Sequence, residues 1–409
     1  MIAARTRSAR ELFHGAVGGL PRSYWVLWVG TLVNKLGAFV VPFLSLYLVR
    51  HRGLSVSEAG LLFAVYGAGC VVANPVGGWL SDRYGRRVGM LTGLCGAAGA
   101  VLVLGQAREK WELAAAAFGL GLLMDLYRPS VMAIVTDVVA PEDRGRAFNL
   151  LYWAINVGFT ASPLVAGTLG DAHVEWLFWG DAATTLLCAW LIYRFVPESR
   201  PGAEPGAAQD TAGPLAPFAD PVFLPYVAVN FLVALLFFQF FVAMPADMAA
   251  QGLGAQPFGM AISVNGALIV VLQPLLGSWV ERLPRGRALA LGTLLTGVGF
   301  GMYGWVTTLG GFALGVAVWT VGEVLMSPVN SAIVADLAPE AQRARYQGAY
   351  NTAWSLAVLV GPAAGGYALE HVGRRAFWTG VLAVGAVAAW LHLALVPARR
   401  ARLGERARE

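Results

Sequence analysis

The chain has 409 residues, of which 57% are hydrophobic and only 13% are charged. A soluble domain carries about 25% charged residues, so this composition excludes an ordinary soluble fold and predicts a chain surrounded by lipid. The net charge of +5 does not indicate a nucleic-acid partner, because most of the 29 Lys and Arg residues lie in short segments between long apolar runs.

The apolar runs are long enough for membrane-spanning helices, each of which needs about 20 residues. Twelve helices are predicted, in two groups of six. Their ranges are 24–48, 57–80, 88–107, 112–138, 147–170 and 174–196, then 222–247, 257–280, 288–309, 311–337, 346–369 and 374–396. The excess of Lys and Arg in alternate connections follows the positive-inside rule, which predicts a protein of the cytoplasmic (inner) membrane with both termini in the cytoplasm.

The connecting segments predict the domain organisation. We expect a cytoplasmic N-terminal segment at 1–22, a six-helix bundle at 23–196, a linker at 197–221, a second six-helix bundle at 222–396 and a basic tail at 397–409. The linker is rich in Pro, Gly and acidic residues, which is typical of a flexible connection. The tail is rich in Arg and is expected to be a disordered contact with the inner leaflet.

Several kinds of chemistry are not expected. Cys70, Cys95 and Cys188 fall within apolar runs, and their odd number predicts neither a disulfide framework nor a metal cluster. The histidines are scattered, and the chain has no P-loop for phosphate binding. We therefore expect no metal, no cofactor, no use of ATP and no enzymatic activity.

The connection between the second and third predicted helices is short, charged and rich in glycine. It reads Gly-Trp-Leu-Ser-Asp-Arg-Tyr-Gly-Arg-Arg, and its charged and glycine positions include Gly78, Asp82, Arg83, Gly85 and Arg86. Long apolar runs flank it on both sides, so we expect it at the membrane surface.

A constant offset of 199 residues relates this connection to a weaker copy in the second half of the chain. One offset that holds over about ninety residues indicates an internal repeat. The related pairs include Gly78 and Gly277, Asp82 and Glu281, Arg83 and Arg282, Arg86 and Arg285, Asp137 and Asp336, Pro163 and Pro362, and Gly167 and Gly366.

The loop and its repeat closely resemble the signature of the major facilitator superfamily. The resemblance implies an all-α membrane protein with about twelve transmembrane helices in two pseudo-symmetric six-helix bundles, and a small-molecule substrate bound between them. It also implies that the protein acts as a monomer in the lipid bilayer. The segments Met124–Trp153 and Val318–Tyr350 resemble the twelve-helix drug:proton antiporter branch.

The resemblance also implies gating roles for charged residues. Asp82 would cap the start of the eleventh helix near Tyr346, where a carboxylate is favourable, and Arg86 would pair with Asp137 at the end of the fourth helix. Glu281, Arg285 and Asp336 would act at the related positions of the second half, and Gly78, Arg83 and Gly85 belong to the same gate. The alternative is a basic loop that only sets the topology.

A second motif, in the fifth and eleventh helices, resembles the antiporter signature G-x-x-x-G-P-x-x-G-G. Small residues let helices approach closely in lipid, and proline permits a bend. The resemblance implies proton-driven export, and close helix packing alone is the alternative. Its residues are Gly158, Pro163 and Gly167 in the fifth helix, and Gly361, Pro362 and Gly366 in the eleventh.

Ionisable side chains inside a membrane are costly, so each is a candidate functional residue. Lys35 lies beside Asn34 in the first helix, Asp125 and Arg128 lie one turn apart in the fourth, and Glu323 lies near the middle of the tenth. In the family these helices and the seventh line the central cavity, so the resemblance places the five residues around one space. The alternative is that they form buried ion pairs which only fix helix register.

Three further expectations concern single residues. We expect Lys35 and Asp125 to interact in at least one conformational state, because a lysine, unlike an arginine, can lose its proton when desolvated. We expect Asp181 to lie near the outer surface, in water. The seventh helix departs from the antiporter pattern, since residues 237–245 contain the cavity residue Gln239 and no acid.

These observations predict a secondary active transporter that exports amphipathic small molecules in exchange for protons by alternating access. Asp125 and Glu323 are the predicted proton carriers. Lys35 and Arg128 leave open a proton-coupled importer of an anionic compound such as a peptide or carboxylate, and a transporter-like ligand sensor is a third possibility. Aromatic residues suited to an amphipathic substrate are Trp28, Tyr127, Phe238, Phe241, Trp319 and Trp354.

Overall fold

The structure is a computed structural model that describes residues 18–170, 173–198, 216–280, 282–339 and 342–406. Within the helices, it leaves out the side chains of residues 74, 82, 277, 278, 344 and 403–406. Every regular element in the described ranges is helical. The predicted all-α membrane architecture is thereby confirmed.

Twelve spans follow one another along the described chain. Ten of them are long and apolar enough to cross a membrane, and the helices Glu175–Phe195 and Arg285–Gly301 occupy the sixth and ninth positions. In order, the spans contain Arg22–Leu36 with Val40–Arg52, Val56–Tyr84, Arg86–Gln106, Lys110–Leu126 with Arg128–Val138, Arg144–Gly170, Glu175–Phe195, Phe223–Phe237 with Ala243–Ala250, Ala255–Val280, Arg285–Gly301, Leu309–Leu337, Arg343–Val372 and Arg374–Ala394.

The first and seventh spans are each interrupted near their middle. The first breaks between Leu36 and Val40, and the seventh passes through a 3₁₀ turn at Phe238–Phe240 before the helix resumes at Ala243. The offset of 199 residues places the two breaks at related positions. Interrupted helices are how many transporters expose backbone groups in the middle of a membrane.

The two halves of the chain meet along two helix pairs, the second span against the eleventh and the fifth against the eighth. The motif face is defined here as the end of the bundle that carries the loops at Gly85 and Pro284, and the far face is the opposite end. A Cβ added at Gly60 would lie 2.5 Å from the carbonyl oxygen of Pro362, and one at Gly259 would lie 2.1 Å from that of Pro163. These close backbone contacts lie toward the far face.

The residues of the predicted packing motif also lie at close contacts. Added Cβ atoms at Gly167 and Gly366 would lie within 3.0 Å of backbone atoms in the partner half. Gly158 instead adjoins Lys35 of its own half, where an added Cβ would lie 2.4 Å from the lysine Cβ, and Gly361 adjoins Phe238. The motif therefore brings helices together both between the halves and within each half.

The basic tail differs from expectation, because residues Val396–Arg406 form a helix rather than a disordered segment. Arg402 lies 3.7 Å from Asp220, which also accepts a hydrogen bond of 2.8 Å from the Tyr346 hydroxyl. Burial raises the pKa of Asp220, but these contacts and two backbone N–H groups at the start of the seventh span hold its pKa below the usual value. The carboxylate is thus charged at neutral pH, and this anchor of the helix is lost only in acid.

The glycine contacts between the halves generate a test with a matched control. Gly259→Ala forces a methyl group against the Pro163 carbonyl, and we expect overpacking to lower the free energy of unfolding by about 1–3 kcal/mol. Gly119→Ala, in a helix where an added Cβ meets no atom within 4 Å, should be neutral or stabilising by up to about 1 kcal/mol. Thermal unfolding of the purified protein in detergent compares the two. Equal unfolding midpoints would contradict the close contact.

Candidate functional site

A stripe of exposed side chains runs along the fourth and tenth spans toward the motif face. The Arg128 side chain is 64% exposed although it lies near the middle of its span, and Met132 is 48% exposed one turn further on. The related residues of the second half, Ser327 and Ser331, are also exposed. Protein therefore leaves this side of the fourth and tenth spans uncovered from the middle of the bundle toward the motif face, and we call the space beside it, between the halves, the open space.

The far face is closed by contacts that join the halves. Glu370, at the end of the eleventh span, accepts hydrogen bonds of 2.8 and 2.6 Å from the backbone N–H and the hydroxyl of Ser57. Ser45 donates to the carbonyl of Phe241 at 2.6 Å. Because Ser57 lies in the first turn of the second span, the Glu370 carboxylate also interacts favourably with the helix N-terminus. The sequence analysis did not identify this pair, which we call the far-face latch.

Asp125 and Arg128 form an ion pair within the fourth span. The Arg128 Nη1 and Asp125 Oδ1 atoms are 3.6 Å apart. The helix breaks between them at Tyr127. Tyr66 and Cys70 of the second span lie beside the pair, with the Cys70 thiol in hydrogen-bonding range of Asp125. This cluster combines a charge pair, of which Arg128 is the exposed member, with a buried hydroxyl and a buried thiol behind it.

Glu323 lies on the opposite wall and has only uncharged hydrogen-bonding partners. Asn265 of the eighth span donates to its carboxylate at 2.9 Å and to the Thr320 hydroxyl at 3.1 Å. Tyr152 of the first half interacts with Glu323 across the space. No Lys or Arg of the described ranges pairs with it, so Glu323 differs from Asp125 in having no counter-charge.

Lys35 is separate from the Asp125 pair in this structure. The acid that interacts with Lys35 is Asp181 of the sixth span, and no hydrogen bond or ion pair joins Lys35 to another described residue. The predicted meeting of Lys35 with Asp125 therefore stays a prediction for another conformational state.

The expectation for Asp181 was wrong, because the residue is buried rather than solvated. Its side chain is 1% exposed and accepts a hydrogen bond of 3.0 Å from the Val40 backbone N–H. The break in the first span frees backbone groups in the middle of the membrane, and these need partners from neighbouring helices. Ser162 supplies the complementary bond by donating to the Ala38 carbonyl at 2.8 Å.

Two other predicted cavity residues also serve the interrupted spans. Asn34 is 5% exposed and donates to the Thr185 hydroxyl of the sixth span at 3.0 Å, so it does not face the open space. Gln239 is buried beside the break in the seventh span and donates to the carbonyls of Leu235 and Gly361. Both predictions of a place on the cavity wall were wrong, because sequence position does not fix the helical face near a break.

Five of the six predicted aromatic residues, all except Tyr127, fall into two groups. Trp28 and Trp319 are packing residues: the Trp28 indole N–H donates to the carbonyl of Leu150, and the Trp319 indole N–H donates to the hydroxyl of Tyr303. The second group surrounds the break in the seventh span, with ring centroids 5.7–6.2 Å apart. It comprises the predicted residues Phe238, Phe241 and Trp354, together with Phe237.

The gate residues form similar pairs in the two halves. Arg86 Nε lies 3.7 Å from Asp137 Oδ2, and Arg285 forms an ion pair with Asp336 at the related position. Gly85 ends the second span with φ 111°, a conformation that favours glycine. Arg83 lies against the Trp79 and Tyr84 rings, and a Cβ added at Gly78 would meet no atom within 4 Å. The Asp82 side chain and Glu281 lie outside the described part, so their roles stay predictions.

One buried acid near the far face was missed by sequence reasoning. Asp247 lies two residues beyond the stretch of the seventh span that lacks an acid. Its carboxylate is 2.5 Å from Arg374 and accepts a hydrogen bond of 2.8 Å from the Trp378 indole N–H. Arg374 also donates to carbonyls at the end of the ninth span. This network joins the seventh, ninth and twelfth spans, and within it Arg374 balances the charge of Asp247.

Comparison of the sequence with family models finds a match to the Major Facilitator Superfamily over residues 27–257 and 226–409. A Na(+), Li(+), K(+)/H(+) antiporter of Planococcus maritimus is 25% identical over 376 residues, which cover 83% of this chain and 88% of the relative. Multidrug resistance protein MdtH of Yersinia pestis is 25% identical over 354 residues, covering 84% and 86%.

Solved structures share the fold at low sequence identity. A peptide transporter POT in complex with sulfate has a TM-score of 0.78 and 18% identity, with 94% of this chain and 96% of the other covered. The human organic anion transporter MFSD10 has a TM-score of 0.65 and 21% identity, with 91% and 100% covered.

The buried position of Asp181 generates a stability prediction. Asp181→Ala leaves the Val40 N–H without an acceptor in the middle of the membrane, and we expect a loss of about 1–3 kcal/mol. Glu175→Gln, on the same span but with a side chain 62% exposed, should change stability by less than about 0.5 kcal/mol. Thermal unfolding in detergent measures both. An unfolding midpoint for Asp181→Ala that matches the wild type would mean that another group accepts the hydrogen bond from the Val40 N–H.

Proposed function

Because the chain belongs to the Major Facilitator Superfamily of transporters, we propose that it exchanges protons for an amphipathic small molecule by alternating access. The observation that carries the proposal is Glu323, an acid at the wall of the open space whose described partners are all neutral. Ionisable groups inside a membrane are costly, and those without a counter-charge mark candidate proton pathways.

Glu323 and Asp125 have different roles in the proposed proton exchange. Glu323 is the principal proton carrier, because gaining or losing a proton there breaks no ion pair. Asp125 already has Arg128 as its partner at 3.6 Å, so a proton or a charged substrate group must compete with the guanidinium. Competition of this kind couples substrate binding to protonation, because each ligand alters the free energy of binding the other.

The substrate class is inferred from the walls of the space. The aromatic group around Phe238 and Trp354 offers apolar surface, and Arg128 and Glu323 offer charges. Together they suit a molecule with an apolar body and a polar or charged end. The similarity to a multidrug resistance protein supports export, and the similarity to a cation/proton antiporter supports exchange.

A proton-coupled importer of an anionic compound is the second candidate. The exposed Arg128 guanidinium favours it, because a cation at mid-depth attracts carboxylates. Peptide and organic anion transporters among the structures of the same fold fit this alternative. The direction of substrate flux under an imposed proton gradient distinguishes the two candidates.

Alternating access requires two gates that close in turn. In the proposed cycle the far-face latch between Glu370 and Ser57 holds the state described here. The gate at the motif face, with Asp82, Arg86 and Asp137 and their related residues Glu281, Arg285 and Asp336, holds the opposite state. We place the motif face and both termini in the cytoplasm, with the chain acting as a monomer divided at 197–221.

Proton coupling is tested by reconstitution in liposomes with an imposed pH gradient. We expect Glu323→Gln to reduce gradient-driven substrate flux at least tenfold, because a neutral amide cannot carry the proton. Substrate binding to the detergent-purified variant should persist. Glu175→Gln, an exposed change of the same chemistry on the sixth span, is the control. Undiminished gradient-driven flux in Glu323→Gln would remove this residue from the coupling.

The two gates predict opposite conformational shifts. Glu370→Gln weakens the carboxylate at the start of the second span, and Asp82→Asn weakens the proposed cap at the motif face. Each loss of about 0.3–1 kcal/mol changes the population ratio roughly two- to fivefold. Cysteine probes placed on the far face should become more accessible in Glu370→Gln, and probes on the motif face in Asp82→Asn. Shifts of the same sign in both variants would contradict the two-gate scheme.

A further inference from the structure

A cavity of about 620 Å³ lies at the motif face of the second half, beside the C-terminal helix. It is separate from the space between the two halves. Four arginines and one acid line it, together with apolar residues at the ends of the tenth and twelfth spans. The charged residues are Arg285, Arg287, Arg399, Arg400 and Asp336, and the apolar ones include Leu337, Leu393 and Val396.

The charge of this arginine cavity is only partly balanced. Asp336 pairs with Arg285, which leaves three arginines without an acid among the described lining residues. Arg399 is 6% exposed, and its Nη1 atom is buried with no hydrogen-bond acceptor in the described part of the chain. The other donors of this guanidinium bond the carbonyls of Leu395 and His392, so Nη1 is its one unsatisfied nitrogen among the described contacts.

The internal repeat shows what occupies the related place in the first half. There Glu198 accepts a hydrogen bond of 2.9 Å from the Arg87 backbone N–H, at the start of the third span, and its carboxylate lies 3.9 Å from the Arg87 side chain. The offset of 199 residues relates Glu198 to Pro397. The ninth span accordingly begins at Arg285 without a side-chain cap. The second half thus has Gly286 and Pro397 where the first half pairs Arg87 with Glu198. The carboxylate is missing there, and the positive charge comes from the neighbouring Arg287, Arg399 and Arg400.

We propose that the arginine cavity binds the phosphate group of an anionic phospholipid from the surrounding leaflet. The phosphate takes the place that Glu198 holds in the first half, beside Arg399 and Arg400 and near the start of the ninth span. The apolar walls favour a lipid over a soluble phosphate compound. Leu393 lines the cavity and is 46% exposed at the end of a span, so the cavity has an apolar edge that an acyl chain can contact.

Native mass spectrometry of the full chain in neutral detergent tests the assignment with dioleoyl phosphatidylglycerol as the probe. We expect one saturable site, and at least tenfold weaker binding in the double variant Arg287→Gln with Arg400→Gln. Both residues are exposed, so the fold should persist. Arg22→Gln, which removes an exposed arginine at the start of the first span, should change the affinity less than twofold. Equal weakening in Arg22→Gln would overturn the site in favour of a diffuse charge effect.

A second variant tests whether the cavity corresponds to the place of Glu198 in the first half. Pro397→Glu restores a carboxylate at the position related to Glu198, and we expect it to fill the cavity from within and to weaken phosphatidylglycerol binding at least tenfold. Glycerol 3-phosphate distinguishes the source of the phosphate. If it displaces the lipid at equal concentration, a soluble phosphate compound is the ligand and the lipid assignment is overturned. Unchanged lipid binding in Pro397→Glu would overturn the whole proposal, and none of these readouts depends on transport.

Discussion

Lipid offers the chain no hydrogen bonds, so every backbone N–H and C=O inside the membrane must find a partner within the protein. Most do so within helices. The interrupted first and seventh spans are exceptions. Asp181 and Ser162 of neighbouring helices supply partners at the first break, and at the second Gln239 of the seventh span donates to the Leu235 carbonyl of the same span. Residues that could have lined the central space are therefore used to hold the breaks. This constraint explains why so few of the buried polar groups are available for transport chemistry.

Close helix packing and charge placement follow from the same constraint. Helices in lipid gain little from hydrophobic burial against each other, so contact depends on small residues and on polar bonds between spans. The glycine contacts near Gly60 and Gly259 bring the halves together toward the far face, and the bond from Ser57 to Glu370 adds a polar contact there. The same bundle is open toward the motif face, where Arg128 is exposed to solvent. The two halves thus pack together at the far face and separate toward the motif face.

The sequence predicted the spans well because long apolar runs and an internal repeat are strong signals that survive without structural context. The sequence did not predict which way individual side chains point from their helices. Asn34 and Gln239 were assigned to the cavity, but the helix breaks beside them turn their side chains toward neighbouring spans. The breaks carry no strong local signal, since each lies inside a long, mostly apolar run and an isolated glycine such as Gly37 is tolerated within helices. The helix that begins at Val396 was missed because its high arginine content is also typical of disordered tails.

The repeat preserves some polar contacts and not others. The pair of Arg86 with Asp137 is related by the 199-residue offset to Arg285 with Asp336, whereas Asp181, which bonds the break in the first span, is related to Gly380. The charges in the central space are not preserved: Asp125 is related to Val324, and Arg128 to Ser327. A symmetric pair of bundles can rock without such charges, so their asymmetric presence needs a reason outside the fold. The proposed exchange supplies one, because in it a transported molecule and a proton meet different groups on the two walls of the same space.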